Sequence, residues 1–225
     1  MTTMLAVLVA LSQDKPPKNI GLQTKPPKRA TVLFDGKSLD QWVRAGSSAP
    51  AGWKVADGVA EVVPGSGSIA SKASLGSGHY HVEFNVPLMA DKTSQARGNS
   101  GFYLLARYET QILDSVDNPT YATGGCGGIY GLKDPDSNEA KKPGEWQCYD
   151  SFFVAPTLGA DGKIAKPGVL TVYWNGVLVH NKVELTEKAD QSKDSAPVAQ
   201  GPVLLQDHGC KVRFRNIWFQ PTGTR

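Results

Sequence analysis

The sequence predicts an all-β protein, built as a sandwich of two antiparallel β-sheets. Short runs of β-branched and aromatic residues recur along the chain, and Gly, Pro, Asn and Asp separate them. Turn residues at intervals of about 8–12 residues are typical of sandwiches and jelly rolls. No amphipathic helix pattern of about ten residues or more interrupts this spacing. The 225 residues suit one domain, because all-β domains of about 200–250 residues are common.

The first 30 residues differ in composition from the rest. An apolar run over residues 2–12 is too short to span a bilayer and has the character of a signal-peptide core. No basic residue precedes it, so a chance apolar N-terminus is the alternative. Residues 13–30 are rich in Lys and Pro, and we expect a disordered linker there. The sequence therefore predicts an exported protein, periplasmic or secreted, without an integral membrane segment. Its single folded domain covers residues 31–222.

The predicted strands are bounded by turn residues. Thr31–Phe34 is apolar and is followed by Asp35-Gly36. The dipeptides Asp57-Gly58 and Asn175-Gly176 each separate two apolar runs, which is the strongest short-range signal for a β-hairpin. His79–Val86 alternates polar with apolar residues, as a strand with two different faces does. The last strands are predicted over residues 203–206 and 212–219.

The segment Arg97–Asp114 carries the clearest functional pattern. Read as one bent strand, it has an apolar face and a polar face, since successive side chains point to opposite sides. The apolar face consists of Phe102, Leu104, Tyr108 and Ile112. The polar face consists of Asn99, Tyr103, Arg107, Glu109 and Gln111. Such a row could hold a polyhydroxylated ligand. The alternative is a surface strand with a satisfied Arg107–Glu109 pair.

Charge and motifs exclude several classes of function. Lys and Arg number 24 against 21 Asp and Glu, a net charge of +3, so nothing indicates a nucleic-acid partner. Long loops are predicted at 115–150 and 187–202. The run Gly124–Gly128 lacks the Lys-Ser/Thr of a phosphate loop and is expected to allow a close backbone approach. No G-x-S-x-G, H-E-x-x-H or EF-hand pattern occurs.

Several ionisable residues are candidates for catalysis. His208 follows an apolar strand and could act as a general base or stabilise a turn; Asp207 could orient it or accept turn hydrogen bonds. Glu109 is a second candidate base. Glu83 could reach the same groove if its strand is a neighbour. Arg215 points away from the core and could stabilise an oxyanion or be solvated. A two-carboxylate glycosidase would pair Glu109 with Glu83 or Asp114.

The three cysteines give no zinc pattern. Cys126, Cys148 and Cys210 lie far apart, without C-x-x-C or Cys/His spacing. One disulfide between two of them and three buried free thiols are both open, and the sequence does not select a pair.

Nine short motifs in order resemble one known family. They are L-F-D-G-K-S-L-D-Q-W (33–42), W-K-V-A-D-G (53–58), G-N-S-G-F-Y-L (98–104), Y-E-T-Q-I-L-D-S (108–115), G-I-Y-G (128–131), G-E-W-Q (144–147), W-N-G (174–176), L-Q-D-H-G (205–209) and V-R-F-R-N-I-W (212–218). Together, over roughly residues 31–220, they resemble the 3-keto-disaccharide hydrolase family. The resemblance implies a concanavalin A-like jelly roll, in agreement with the strand pattern.

The resemblance also implies a carbohydrate substrate, a glycoside oxidised to a ketone at C3 of glucose. Such a ketone acidifies the C2 proton, so a base can form an enolate and the C1 leaving group can depart before water adds. We expect His208 or Glu109 as the base, and Arg215 or a divalent cation at the oxyanion. Positioning and lining of the sugar site are expected from Asn99, Gln111, Glu83, Tyr130 and Gln206. No organic cofactor is expected. The alternative is a non-catalytic, lectin-like carbohydrate-binding module.

Overall fold

The computed structural model describes residues 17–192 and 195–222, and within them it confirms the predicted two-sheet sandwich. The strands are β1 Thr31–Phe34, β2 Trp42–Arg44, β3 Lys54–Ala56, β4 Val59–Glu61, β5 Ile69–Ser71, β6 Gly78–Asn85, β7 Ser100–Leu104, β8 Tyr108–Ile112, β9 Gln147–Val154, β10 Thr157–Leu158, β11 Ile164–Lys166, β12 Gly168–Trp174, β13 Val177–Leu185, β14 Leu204–Leu205 and β15 Arg213–Pro221. Two short 3-10 helices cover Ser94–Ala96 and Glu187–Ala189.

The strands form two large antiparallel sheets and one small ribbon. The large sheet has eight strands in the order β13-β12-β9-β6-β15-β4-β3, with β1 also paired to β15. The small sheet has five strands in the order β2-β5-β14-β7-β8. Strands β10 and β11 pair only with each other, as a separate two-stranded ribbon.

The core lies between the two sheets and follows the alternation of the strands. In β6 the inward side chains Tyr80, Val82 and Phe84 are almost fully buried, and in β7 Phe102 and Leu104 face them from the other sheet. Burial of each such side chain contributes roughly 1.5–3 kcal/mol. The alternation therefore fixes which residues of each strand remain for the outer faces, where the polar groups lie.

Two tight hairpins connect neighbouring strands as the sequence predicts. Asn175 and Gly176 have φ of 53° and 86°, and Asp57 and Gly58 have 51° and 79°. Positive φ at both central residues is the type I′ geometry, whose twist matches that of the flanking strands. The Asn175-Gly176 turn joins β12 to β13 and the Asp57-Gly58 turn joins β3 to β4.

The N-terminal segment, residues 17–29, is ordered against the large sheet, so the expected disorder is wrong for this segment. The Gly21 amide donates to Asp150 Oδ2 at 2.7 Å, and the Gln23 amide donates to Glu83 Oε1 at 2.6 Å. The Thr24 carbonyl accepts from the Asn216 side chain at 2.9 Å. The segment is held by specific hydrogen bonds to buried carboxylates of the large sheet. Its Lys/Pro-rich composition contains no information about these partners.

Beneath the N-terminal segment lies a cluster of ionisable side chains, here called the outer-face cluster: the buried His79, His81, Glu83 and Asp150, and the half-buried Arg215. Asp150 Oδ1 lies 2.7 Å from His81 Nδ1 and 2.9 Å from His79 Nε2. Arg215 Nε donates to Glu83 Oε2 at 2.7 Å. The cluster is fully paired, as buried charges must be to offset their desolvation.

The remaining sequence expectations concern thiols and the membrane. Cys126, Cys148 and Cys210 are all free and buried, so the disulfide alternative is not realised. The apolar run 2–12 lies outside the described residues. Among those that are described, no helix is long and apolar enough to cross a membrane.

Candidate active site

A polar cleft opens on the outer face of the small sheet, where β7 and β8 run side by side. Tyr103 pairs with Glu109 and Gly101 with Gln111 across the two strands. Opposed residues point to the same face, so these side chains share the side away from the core. The cleft encloses about 260 Å³. It is lined by Gln95, Asn99, Tyr103, Glu109, Gln111, Tyr121, Tyr130, Gln191, Gln206 and His208.

Glu109 is the buried acid of this cleft, with only 4% of its surface exposed. Burial raises the pKa of its carboxyl to about 7, and a hydrogen bond with Tyr103 offsets this in part. The Tyr103 hydroxyl in turn accepts from Gln206 Nε2 at 3.0 Å. Glu109 can therefore exchange a proton near neutral pH, which is the property that a general acid or base requires.

Gly101 makes room for the Glu109 carboxylate. A Cβ atom at this position would lie 2.2 Å from Glu109 Oε1 and 2.6 Å from the Tyr103 ring. The acid thus lies across a residue without a side chain, in contact with the backbone of β7. The same motif, G-N-S-G-F-Y-L, therefore supplies both the space beneath the acid and the tyrosine beside it.

The amide side chains form a network on the cleft wall with unused acceptors. Asn99 Nδ2 donates to the Gln95 carbonyl at 2.8 Å and Gln111 Nε2 donates to Gln95 Oε1 at 3.2 Å. In the described chain, Asn99 Oδ1 and Gln206 Oε1 are buried without a hydrogen-bond partner. Buried acceptors without partners are costly, and ligand hydroxyl groups would satisfy them.

Two tyrosines from the loop after β8, Tyr121 and Tyr130, complete the cleft. Their hydroxyls are 2.6 Å apart, and Tyr121 is 53% exposed. The loop is attached to β8 by backbone hydrogen bonds: Gln111 donates to Gly128, and Tyr130 donates to Glu109. A Cβ at Gly127 would lie 2.8 Å from the Trp174 ring. This confirms the expected close approach of the glycine run, here to a neighbouring strand.

The structure brings six of the eight predicted site residues into one cleft: His208, Glu109, Asn99, Gln111, Tyr130 and Gln206. His208 lies exposed at the rim. Asp207 does not orient it, because Asp207 Oδ2 accepts from the amides of Gly65 and Gly67, and Oδ1 accepts from that of Gly209.

Glu83 and Arg215 do not reach the cleft, so their predicted site positions are wrong. Glu83 lies on β6 and Arg215 on β15, and both belong to the large sheet. They pair with each other beneath the N-terminal segment instead. Asp114 is also unsuitable as a partner for Glu109, since its Oδ2 lies 2.9 Å from Arg97 Nε. The alternation of each strand was correct, but it does not identify the sheet to which a strand belongs.

Three lining residues had not been singled out from the sequence: Gln95, Tyr121 and Gln191. Tyr121 lies next to the glycine run that was noted as a loop, so its position offered a weak signal. Gln95 lies in the short 3-10 helix Ser94–Ala96 and Gln191 in a loop, and neither segment has a periodicity that could have placed them. The Arg107–Glu109 pair considered as an alternative does not form, because Arg107 binds Asp190 at 2.8 Å.

A divalent cation remained an option for the oxyanion. Across residues 17–192 and 195–222, no three or more His, Cys, Asp or Glu side chains assemble into a candidate metal site. The polar cleft itself offers one carboxylate, one imidazole and several amide oxygens. We therefore assign no residue as a metal ligand.

Comparisons with known proteins identify the family of this chain and agree with its β-sandwich fold. The family model of the 3-keto-alpha-glucoside-1,2-lyase-like domain matches residues 29–220. A structure of a candidate glycosyl hydrolase from Parabacteroides distasonis ATCC 8503 is 38% identical, with a TM-score of 0.79, over 87% of this chain and 85% of that one. A second candidate glycosyl hydrolase from that organism shares the fold at 22% identity and a TM-score of 0.64, over 86% and 94% of the chains. No curated protein sequence matches the chain.

Proposed function

The chain belongs to the 3-keto-alpha-glucoside-1,2-lyase-like domain family, and we propose that it cleaves glycosides that carry a ketone at C3 of the sugar. One observation supports this most: a single buried carboxyl, Glu109, with its pKa raised to about 7 by burial, lies in a cleft lined by amides and hydroxyls. An ordinary glycosidase needs two carboxyl groups across the scissile bond. Of the residues lining this cleft, Glu109 is the sole acidic one.

The proposed reaction starts with proton abstraction. The Glu109 carboxylate takes the C2 proton, and the electron pair of the C2–H bond forms an enolate with the C3 ketone. The enolate then expels the C1 oxygen substituent, which leaves with a proton supplied by His208 at the rim. Water adds to C1 of the resulting enone and gives its proton to His208, which restores the acid, and protonated Glu109 returns its proton to C2. The sum is hydrolysis, and stopping before the addition of water gives a lyase.

The other lining residues bind and orient the sugar. The unpartnered acceptors Asn99 Oδ1 and Gln206 Oε1 suit sugar hydroxyls. The Tyr121 and Tyr130 hydroxyls, 2.6 Å apart, line the same cleft and can donate to the enolate oxygen, the role first expected of Arg215 or a divalent cation. Donors placed where negative charge develops stabilise the transition state more than the ground state.

The test is release of 3-keto-glucose from a 3-keto-α-glucoside by the purified protein, with and without EDTA. Glu109→Gln should lower kcat by about 100-fold or more, as for loss of a general base. Glu184→Gln is the matched control, since Glu184 is exposed on β13, and it should retain full activity. For the wild type, the acidic limb of the kcat/KM profile should rise as the pH approaches about 7, because the ionised Glu109 carboxylate is the active form of the base.

Two outcomes would contradict the proposal. Full activity of Glu109→Gln would exclude Glu109 as the base. No release from any 3-keto-glycoside, together with binding of the unoxidised glucoside, would favour the lectin-like module, for which the same amide acceptors would serve binding alone.

A further inference from the structure

A second and larger cleft adjoins the polar cleft; we call it the broad cleft. It encloses about 830 Å³, within the roughly 300–1,000 Å³ that is usual for sites of drug-sized ligands. It is lined by Tyr108, Tyr130, Gly131, Lys163, Ile164, Leu185, Thr186, Glu187, Lys188, Asp190, Gln191, Ser195 and Pro197. Tyr130 and Gln191 line both clefts. A ligand bound in the polar cleft can therefore extend past these two side chains into the broad cleft.

Tyr130 and Gln191 form the wall shared by the two clefts. Buried contacts hold this wall in place. Arg107, only 5% exposed, binds Asp190 Oδ2 at 2.8 Å, and its carbonyl accepts from the Gln191 amide at 3.0 Å. Gly131 has φ of +76°, and a Cβ there would lie 2.7 Å from the Lys188 carbonyl oxygen. The wall is thus pre-formed, which lowers the cost of ordering it around a ligand.

The two clefts differ in chemistry. The polar cleft is lined mainly by amides, hydroxyls and one carboxyl. The broad cleft is lined by charged side chains as well; Tyr108 and Leu185 are almost fully buried there, and Ile164 from the β10–β11 ribbon supplies exposed apolar surface that a ligand can cover. Ile164 keeps 38% of its surface exposed, so an apolar ligand group that covers it would remove that surface from water. Lys163 beside it provides a cation that can interact with an aromatic ring.

We propose that the broad cleft is the leaving-group site and that it takes an aromatic aglycone. This inference rests on the proposed function, which places the 3-keto sugar in the polar cleft. A second hexose would gain little from covering the exposed side chain of Ile164. An aromatic group can cover Ile164 and lie beside the Lys163 cation at a low cost in conformational entropy.

The test compares two 3-keto-α-glucosides that differ in the aglycone: ethyl, and 2-(2-naphthyl)ethyl. Both leave as primary alcohols, so their intrinsic reactivity is matched and a difference reports binding. The wild type should favour the naphthylethyl glucoside in kcat/KM by about 10-fold or more, a difference typical of one well-buried apolar group. Ile164→Ser should reduce this preference several-fold. Leu178→Ser is the matched control, since Leu178 is equally exposed at 38% but lies outside both clefts.

A binding measurement without turnover complements the kinetics. Calorimetry with 2-(2-naphthyl)ethanol should show binding to the wild type and to Glu109→Gln, and weaker binding to Ile164→Ser. Turnover of both glucosides with equal kcat/KM, or a preference that Ile164→Ser leaves intact, would overturn the leaving-group site while the proposed function stands. Turnover of neither glucoside would overturn the proposed function, and the assignment of a leaving-group site with it.

Discussion

Gly101 is the residue that allows Glu109, the proposed catalytic base, to lie where it does. Its missing side chain leaves the space that Glu109 Oε1 occupies, only 2.2 Å from the position of a Cβ atom. In the sequence, Gly101 was one residue of the motif G-N-S-G-F-Y-L, and Glu109 was one of several candidates for catalysis. The contact between them depends on the register of β7 against β8, in which Gly101 faces Gln111 and Tyr103 faces Glu109.

We predict that Gly101→Ala lowers kcat and changes the pH dependence. The added methyl group would displace the Glu109 carboxylate, and misplacement by about 1 Å can cost about 100-fold in rate. We expect kcat to fall 10- to 100-fold by that estimate. We also expect the limb of the pH profile near 7 to move to lower pH, because contact with water removes part of the burial that raises the pKa of Glu109. Gly125→Ala is the control, because its Cβ would meet only Ser115 Oγ, at 4.0 Å. An unchanged pH profile in Gly101→Ala would contradict this account.

The N-terminal segment, residues 17–29, lies against the large sheet, although its composition predicted disorder. Asn19, Gly21 and Gln23 have positive φ, of 67°, 99° and 61°. The amides of Gly21 and Gln23 face the sheet, and each donates to a different buried carboxylate, that of Asp150 and that of Glu83. The segment and the outer-face cluster are therefore one structural unit.

The outer-face cluster predicts how stability depends on pH. Burial alone would raise the pKa of Glu83, but hydrogen bonds from His81, Asn216, Arg215 and the Gln23 amide hold it at about 2. Burial alone would lower the pKa of His81, but its bonds to Asp150 and Glu83 raise it. Since a lowered acid stabilises the fold above its unfolded pKa and a raised histidine below its own, the contribution is largest between about pH 4.5 and 6.5.

We therefore expect the free energy of unfolding to fall as the pH drops from about 4.5 toward 2, and to fall again as the pH rises from about 6.5 through the raised pKa of His81. Urea unfolding over this pH range measures both limbs. In Glu83→Gln the acid limb should become shallower, because one of the groups that titrate is gone. An acid limb as steep as that of the wild type would show that other carboxyls control it.

At the scale of the whole molecule, the outer faces of the two sheets have separate tasks. The small sheet carries the polar cleft, and the large sheet carries the outer-face cluster. The packed core lies between them, so a change on one face reaches the other only through the core. Catalysis and the anchoring of the N-terminal segment should accordingly respond to different substitutions.

Arg215→Gln tests this separation. Removal of the partner leaves the Glu83 charge buried, which destabilises the protein and lowers its melting temperature. Because Arg215 lies outside the polar cleft, we expect kcat/KM for the 3-keto-glucoside to stay within about 2-fold of the wild type when measured well below the melting temperature. Glu109→Gln should show the opposite pattern. A large loss of kcat in folded Arg215→Gln would restore the role that the sequence had suggested for this arginine.

The sequence by itself predicted many of the strands and the hairpins at Asp57-Gly58 and Asn175-Gly176, because alternation and turn geometry are local properties. It also placed Asn99, Glu109 and Gln111 on one polar face, although it read Arg97–Asp114 as one bent strand, whereas the structure divides this segment into β7 and β8, joined by a short turn. Only the tertiary structure decided that Glu83 and Arg215 belong to another sheet. Glu83 and Glu109 have the same local pattern, and their separation depends on strand pairings between residues far apart in the chain. The N-terminal segment follows the same rule, since its order depends on carboxylates 60 and 129 positions away.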